Sequence, residues 1–569
     1  MSDTKQTELN ARISELETEI KQLKSAKTYG LIWEDKPEDV ILQCRDNVPV
    51  LREVKNKKIV ADSALPINLL IEGDNYHSLS VLNYTHRGQF DVIYADPPYN
   101  TGNKSWRYNN DYIEKEDEFR HSKWLSYMNK RVRLAKNLLS DSGILIFAID
   151  DYEAHTLRLL LDEIMGEDNR LGTVAVVHNP RGRNDDRFFA TQHEYMLVYA
   201  KDKDKAVLGN FDLTDEERGR YKKSDDISSY SEASFMRTGN NSTPRERPKL
   251  FYPIFYNPNI QKLSLKKAKG SVELLPINEA GEEKTWRWGT ATFEKLCDTD
   301  LFVKTVKGKY RIFKKRRLTD EAGKKPKSIW YNPRYDASTY GIMVLQDIFG
   351  RGNHFNYPKS LLLMEDILEV TSKPNSLVLD FFAGSGTTGH AVLNLNERDG
   401  GTRRFILCTN NENNICEEVT YERIKRVVKG YKDRRGNDVN GVPGNLGYYK
   451  TDLVNIEKLQ TISDTARLKI TYQAGEMIAI REDTLAEKEK NEWWQIFEGH
   501  GRATAIYFRE DKSHLRDLIK ELDATGKPSV LYVFGWGKND YKNEYTSALV
   551  RVEDIPEPII EVYKEINRL

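Results

Sequence analysis

The hydrophobic pattern divides this chain into two stretches where strand and helix periods alternate, separated by a stretch showing neither. A connector, Lys27–Pro66, leads into Ile67-Asn-Leu-Leu-Ile-Glu-Gly-Asp-Asn75, an apolar strand ending in the polar loop Gly73-Asp74-Asn75. A predicted helix over 76–85 returns the chain to a second buried strand, Asp91-Val-Ile-Tyr-Ala95. This is a β-α-β unit with both loops on one sheet edge. A helix over 122–139, a strand over 143–149, a helix over 152–165 and strands over 173–177 and 194–200 continue the pattern. Periodicity then weakens from Lys201 to Tyr340. It resumes at Pro358 with a helix over 361–371, a strand over 376–382, a helix over 388–395, a strand over 404–408 and a helix through Val428. After the Gly-rich residues 430–447, strands over 504–508 and 529–534 mix with helices over 513–522 and 556–567. Strands alternating with helices predict a doubly wound α/β domain. At the front, Leu9, Ile13, Leu16, Ile20 and Leu23 alternate spacings of four and three, the seam of a short coiled coil. It either pairs with a second copy or packs on its own subunit.

Composition narrows this picture. A chain of 569 residues exceeds one core, so two to four domains are expected. Net charge is zero, so any nucleic-acid surface must be local. Cys44, Cys297, Cys408 and Cys416 show no zinc spacing and no disulfide framework, so no metal site is expected. With no signal peptide at Met1 and no run of eighteen apolar residues, a soluble, cytoplasmic protein is expected.

Candidate chemistry concentrates at two loops. The strand before Asp96 stops at Asp96-Pro97-Pro98-Tyr99, where two prolines freeze the chain at the carboxyl end of a parallel strand. Open α/β sheets bind ligands in that crevice. The Asp96 carboxylate and the Pro97 carbonyl can accept hydrogen bonds from an exocyclic amine, and the Tyr99 ring can stack on a planar base. An ordinary turn also uses Asp and Pro, but chance supplies only about 0.004 copies of this tetrapeptide in such a chain. The second loop, Asp380-Phe381-Phe382-Ala383-Gly384-Ser385-Gly386, joins a hydrophobic strand to a helix. Its glycines let backbone approach a ligand closely. A lone G-x-G is weak evidence for a dinucleotide. An acid at its start suits a ligand bearing an ammonium, and no P-loop pattern occurs. S-adenosylmethionine fits, with Asn410 to Glu412 placed to hold ribose hydroxyls and Asp74 to meet the adenine amine.

The Asp96-Pro-Pro-Tyr99 and Asp380-Phe-Phe-Ala-Gly-Ser-Gly386 motifs together resemble those of the DNA amino-methyltransferases. The target-amine motif precedes the cofactor motif, the order of the permuted β class. Tyr29-Gly-Leu-Ile-Trp-Glu-Asp-Lys-Pro37, Gly73-Asp-Asn75, Asn100-Thr-Gly102, His193-Glu-Tyr-Met-Leu-Val-Tyr-Ala200 and Phe355-Asn-Tyr-Pro-Lys-Ser360 look most like the modification subunits of type III restriction–modification systems. The resemblance covers roughly residues 30–430. It implies a Rossmann-like seven-stranded sheet, S-adenosylmethionine as cofactor with Lys359 among the residues that hold it, and adenine N6 as target. It further implies an inserted target-recognition domain, a homodimer, double-stranded DNA as partner and a separate helicase–nuclease subunit. Many relatives place a glutamate directly after the strand over 404–408, where this chain has Thr409-Asn-Asn-Glu412. The expected segments are a helix over 1–27, the first part of the core over 28–200, target recognition over 201–345, the second part of the core over 346–440, and a small α/β domain over 441–569.

An adenine amine is a poor nucleophile, and acceptors at Asp96 and the Pro97 carbonyl would localise its lone pair. A base in a duplex cannot reach such a loop, so it must flip out of the stack. Between Leu301 and Trp330 stand eleven Lys or Arg against two acids, including Lys314, Lys315, Arg316 and Arg317, interleaved with aromatics. That run reads as a DNA surface, with a solvated face as the bland alternative. Arg181, Arg183 and Arg187 contact DNA or are merely solvated. His193 and Glu194 read as structural, His390 as packed or exposed, and Trp286, Trp288 and Trp330 as core by default, with Tyr331 grouped beside them. Competing functions are cytosine-N4 or RNA methylation, and a catalytically silent specificity subunit.

Overall fold

The computed structural model describes residues 33, 38–100, 120–182, 188–320, 323–352, 354–459, 462–536, 541 and 547–568. The expected coiled coil over 1–27, Arg183, Arg187 and most of the loop after Asn100 lie outside the described residues. The chain divides into two compact units, one formed by 1–209 with 327–569 and the other by 210–326.

The larger unit is built on a ten-stranded mixed sheet. Its strands are β1 (Asn47–Glu53), β2 (Ile67–Glu72), β3 (Phe90–Ala95), β4 (Leu139–Ile149), β5 (Arg170–Val177), β6 (His193–Ala200), β7 (Ile329–Trp330), β8 (Leu377–Asp380), β9 (Arg404–Thr409) and β10 (Asn445–Asn455). They lie in the order β1-β10-β2-β9-β8-β3-β4-β6-β5-β7. From β10 to β4 all neighbours are parallel. The central strands read as unbroken apolar runs because helices cover both faces: every residue of β8 is buried. Those helices include α1 (Asn75–Thr85), α2 (Arg120–Leu138), α3 (Ala154–Met165), α4 (Leu361–Thr371), α5 (Thr387–Asp399) and α6 (Glu422–Lys429). Asp74 caps α1 by accepting from the Tyr76 amide at 2.7 Å, and Ser360 caps α4 through the Leu363 amide at 3.2 Å.

The doubly wound α/β expectation therefore stands, with three strands beyond the implied seven. β1 forms inside the expected connector and β10 begins at the end of the Gly-rich segment, and the two pair antiparallel at one edge. β7 adds two residues at the other edge, parallel to β5. Residues 462–568 belong to the larger unit as well. They carry a five-stranded sheet, and the C-terminal helix Glu557–Ile566 packs into the same core, where the Tyr563 hydroxyl donates to the Pro49 carbonyl at 2.6 Å.

The second unit holds a four-stranded and a three-stranded sheet around Phe235, Ile254, Trp286, Phe293 and Ile312. Its strands are mostly short, so no long period marked them in the sequence.

Candidate functional site

Register brings the functional loops to one edge of the main sheet. Asp380 is paired with Tyr94 of β3 and with Leu407 of β9. Asp96 thus leaves its strand two residues beyond the position facing Asp380, and Asn410 leaves three beyond Leu407. Thr409 pairs with Glu72, which sets Asn410 beside Gly73 and brings Asp74 to the same edge. On the other side, Ile149 of β4 pairs with Tyr195 of antiparallel β6, so Glu194 also reaches this edge.

The Asp96–Tyr99 loop is fixed at several points. The Pro98 carbonyl accepts from Trp124 Nε1 at 2.8 Å, and the buried Asn100 side chain donates to Glu153 at 2.5 Å. The Tyr99 hydroxyl lies 2.8 Å from Asp96 Oδ1 and 2.9 Å from Glu194 Oε2, so its single proton is shared between two carboxylates. Lys359 Nζ completes the group, 3.2 Å from Asp96 Oδ1, 2.6 Å from Glu194 Oε2 and hydrogen-bonded to the Tyr99 oxygen. Burial pushes the Asp96 carboxyl above its ordinary range, and the Lys359 ammonium opposes it. Burial acts on Glu194 too, but Lys359 and His178 hold it below its usual value. Burial pulls Lys359 down, yet the facing carboxylates keep it above the ordinary lysine range.

Lys359, expected from the resemblance to hold cofactor, is therefore placed against the amine loop, because it precedes α4 at the Asp96–Glu194 end of the crevice. Glu194, read as structural from its position at a strand start, is 3% exposed and sits in the centre of this group. No local signal in the sequence marks it: the antiparallel pairing of β6 with β4, which reverses the chain and sends its first residues to the ligand edge, exists only once the sheet has formed.

The glycine loop is clasped by its own acid. Asp380 Oδ1 accepts from the Phe382 amide at 3.0 Å and Oδ2 from the Thr388 hydroxyl at 2.5 Å, tying the loop to the first turn of α5. Burial lifts this carboxyl to about 7. Gly384 and Gly386 have φ of +49° and +76°, and a Cβ on Gly384 would meet the Phe355 ring at 3.0 Å. Across the crevice, fully buried Arg131 of α2 donates to Asn75 Oδ1 at 2.5 Å, Glu38 Oε2 at 2.9 Å and Asp74 Oδ1 at 3.3 Å. Its guanidinium lies 3.5 Å from the centre of the Tyr127 ring. Asn75 Nδ2 in turn donates to the Phe381 carbonyl at 3.3 Å, linking the α1 cap to the glycine loop. Asn410 Oδ1 is a buried acceptor with no protein donor among the described residues. Its Nδ2 approaches Glu412 Oε2 at 3.5 Å. His390 is buried beside Arg423, behind the loop, as expected of a packed residue.

Of the expected DNA contacts, Arg181 is exposed in the loop between β5 and β6, whose stem closes through the His178 and Asn179 amides on the Gln192 carbonyl at 3.1 Å each. The same loop presents Phe188 and Phe189, which are 81% and 88% exposed. Within the second unit, the basic run forms the strand Lys309–Arg317, and strand alternation splits it by face. Lys315 and Arg317 both bind Asp225, at 2.6 and 2.8 Å, and Arg317 also binds Asp300 at 2.5 Å. With its side chain 4% exposed, Arg317 serves as a structural ion pair, which corrects its assignment to DNA. On the other face Arg316 is exposed, and Lys314 lies 4.9 Å from the Trp288 ring centre. Trp286 stacks on Phe235 in the core of this unit. In the larger unit, Trp330 is buried against Tyr335, whereas Tyr331 is 71% exposed.

The sequence is similar to several known proteins. The family described as DNA methylase (N6_N4_Mtase) matches residues 90–422. The Mod subunit of the type III restriction-modification enzyme EcoPI, from Escherichia phage P1, is 34% identical over 450 residues, spanning 71% of this chain and 69% of that protein. The type II methyltransferase M.KpnI of Klebsiella pneumoniae is 32% identical over 391 residues, spanning 67% and 90%. The StyLTI Mod subunit of Salmonella typhimurium is 29% identical over 395 residues, spanning 63% and 57%.

Proposed function

The chain belongs to the N6_N4_Mtase family of DNA methylases, and from that premise we propose that it methylates N6 of an adenine flipped from duplex DNA as a modification subunit of a restriction–modification system. The observation that carries this reading is the Asp96 loop, which presents a carboxylate, a carbonyl and an aromatic ring at the ligand edge of the sheet.

S-adenosylmethionine is the cofactor, and when bound it supplies an electrophilic methyl group on its sulfonium. The residues present fit it. Gly384 and Gly386 take left-handed backbone packed against Phe355 and Thr420, which leaves the loop's main chain free of side chains toward a ligand, and the Asn410 acceptor awaits a donor such as a ribose hydroxyl. Asp74 and Asn75, held by Arg131, would hold its adenosine, and the loop shaped by Asp380 would hold its methionine part.

The work of the chain is to hold and prepare the amine. Both Tyr99 and Lys359 contact Asp96 on Oδ1, so Oδ2 is the oxygen left for the amine. Oδ2 and the Pro97 carbonyl accept the two N–H bonds and draw the nitrogen toward tetrahedral geometry, which localises its lone pair. Positioning of this kind supplies roughly 7–11 kcal/mol of barrier lowering. Tyr99 keeps its proton, because burial raises its hydroxyl well above the ordinary range, and its ring offers a stacking face that offsets part of the cost of flipping. A DNA path along this edge is supported by Arg181 and by the exposed Phe188, Phe189 and Tyr331. The Mod-subunit relatives support a separate restriction subunit as partner, and homodimerisation and a cytoplasmic setting belong to the same reading. Among the described residues no helix is long and apolar enough to cross a membrane.

Labelled S-adenosylmethionine, incubated with the protein and either duplex DNA or RNA, tests the substrate class. Label should enter duplex DNA, and transfer to RNA alone or to neither would defeat the reading.

A further inference from the structure

Four carboxylates and one ammonium converge near the amine site. Asp96 follows β3, Glu194 is the second residue of β6, Asp380 ends β8 and Asp150 follows β4, while Lys359 precedes α4. Other titratable groups facing them are Tyr94 and Tyr99, around Asp96, Asp151 beside Asp150, Cys408 beside Asp380, and His178, whose Nδ1 is 3.9 Å from Glu194 Oε2. The methyl-accepting nitrogen needs Asp96 ionised at the start and able to take a proton at the end. Two groups touch the elements that decide this. Lys359 lies 3.2 Å from Asp96 Oδ1, and Glu194 grips both Lys359, at 2.6 Å, and the Tyr99 hydroxyl, at 2.9 Å.

We propose that Glu194 and Lys359 are an opposed pair of positioning residues that set the charge on Asp96, Lys359 holding it ionised and Glu194 limiting that hold so that Asp96 can receive the amine proton. This rests on the reading of Asp96 as the amine-binding carboxylate and extends it to two residues outside the motif.

The geometry explains why both members are needed. Lys359 alone would form a tight ion pair with Asp96 and leave a weak proton acceptor. Glu194 draws the ammonium toward itself, at 2.6 Å against 3.2 Å, and adds a second negative charge behind the Tyr99 hydroxyl. The two acids are biased in opposite directions, Asp96 upward by burial and Glu194 downward against burial by Lys359. A proton entering the group therefore goes to Asp96 and leaves Glu194 paired. In the reaction, the nitrogen becomes positively charged as its new N–C bond forms and the donor's S–C bond breaks, the electron pair of that bond staying on sulfur. One N–H bond then breaks, its electron pair returns to nitrogen, and the proton moves to Asp96 Oδ2. Asp96 later releases it to water, and the Glu194–Lys359 pair is unchanged. Fixed charges that need no rearrangement as the substrate charge develops are the efficient kind.

The pair makes an unusual demand on pH dependence. With both substrates saturating, the acid limb of kcat reports ionisation of Asp96 in the complex. Glu194→Gln removes an anion beside Asp96 and should move that limb to lower pH by about half a pH unit or more. Lys359→Met removes a cation and should move it to higher pH by a similar amount, and Lys359→Arg should restore it most of the way. Each variant is first checked for a cooperative melt and for retained S-adenosylmethionine binding, and Glu194→Asp replaces Glu194→Gln if the latter does not fold; the shorter carboxylate, drawn back from Tyr99 and Lys359, should shift the limb the same way by less. Limbs shifted in the same direction, or left in place while the rate falls, would make the two residues a structural clamp and overturn the proposal. Wild-type protein that transfers no methyl group to DNA would instead remove the reading beneath it.

Discussion

Replacing Arg131 with Met leaves the buried Glu38 carboxylate with no cation among the described residues, and the loss can be estimated from the geometry. The guanidinium is fully buried and binds Glu38 Oε2 at 2.9 Å, Asn75 Oδ1 at 2.5 Å and the Tyr127 carbonyl at 3.0 Å. Glu38 is 6% exposed, and its other oxygen already lacks a hydrogen-bond partner among the described residues. Removing one partner of such a buried pair costs about 3–5 kcal/mol. The Met side chain refills much of the volume, so little of that loss is cavity. Urea denaturation should show the drop. Because Arg131 orients Asp74 and Asn75, affinity for S-adenosylmethionine should fall about tenfold or more, equivalent to 1.4 kcal/mol or above, even at temperatures where the variant stays folded. The double variant Arg131→Met with Glu38→Met replaces both charges by apolar groups and should recover most of the stability but not the affinity. A single-variant loss below about 1 kcal/mol, within the range of an exposed ion pair, would refute the reasoning, as would a double variant no more stable than the single one.

Asp96→Ala should abolish methyl transfer while leaving DNA retention on a filter largely intact; loss of both would mean that the loop mainly supports the fold. Binding of S-adenosylmethionine should tighten as pH rises toward 7, because Asp380 is raised to about 7 by burial and a nearby ammonium favours its ionised form. The dependence should approach tenfold per pH unit below 7 and vanish in Asp380→Asn, as read by calorimetry. In the second unit, neutralising Lys314 and Arg316 should weaken DNA binding and lower its salt slope by about 2, one for each phosphate left without its cation. Arg317→Ala should lower thermal stability through Asp225 and Asp300, and an unchanged melt would return Arg317 to the DNA-facing group.

The two main loops were legible because their chemistry is local. An apolar strand followed by Asp-Pro-Pro-Tyr or by Asp and two glycines carries its meaning within ten residues, and parallel pairing then aligns the ends. The partners of those loops come from far away in sequence. Glu194 lies 95 residues and Lys359 260 residues from Tyr99, and each is an ordinary charged residue until the sheet closes. Arg131 stands among other basic residues in the helix expected over 122–139; only its stack on Tyr127 and its three side-chain acceptors distinguish it. β7, two residues long, gave no period to detect, and β10 starts within the Gly-rich residues 430–447, whose glycines mask its strand pattern. In the basic run, charge was visible but facing was not, and the alternation of one strand decided which side chains were spent on Asp225.

The identity of the methylated atom tests the role of the Asp96 loop most directly. Duplex DNA methylated in vitro with labelled S-adenosylmethionine can be digested to nucleosides and resolved by chromatography with mass detection. If the Asp96 loop holds an adenine amine, the label will be found in N6-methyl-2′-deoxyadenosine and will disappear in Asp96→Ala. Label in N4-methyl-2′-deoxycytidine, or in N6-methyl-2′-deoxyadenosine still formed by Asp96→Ala, would contradict it.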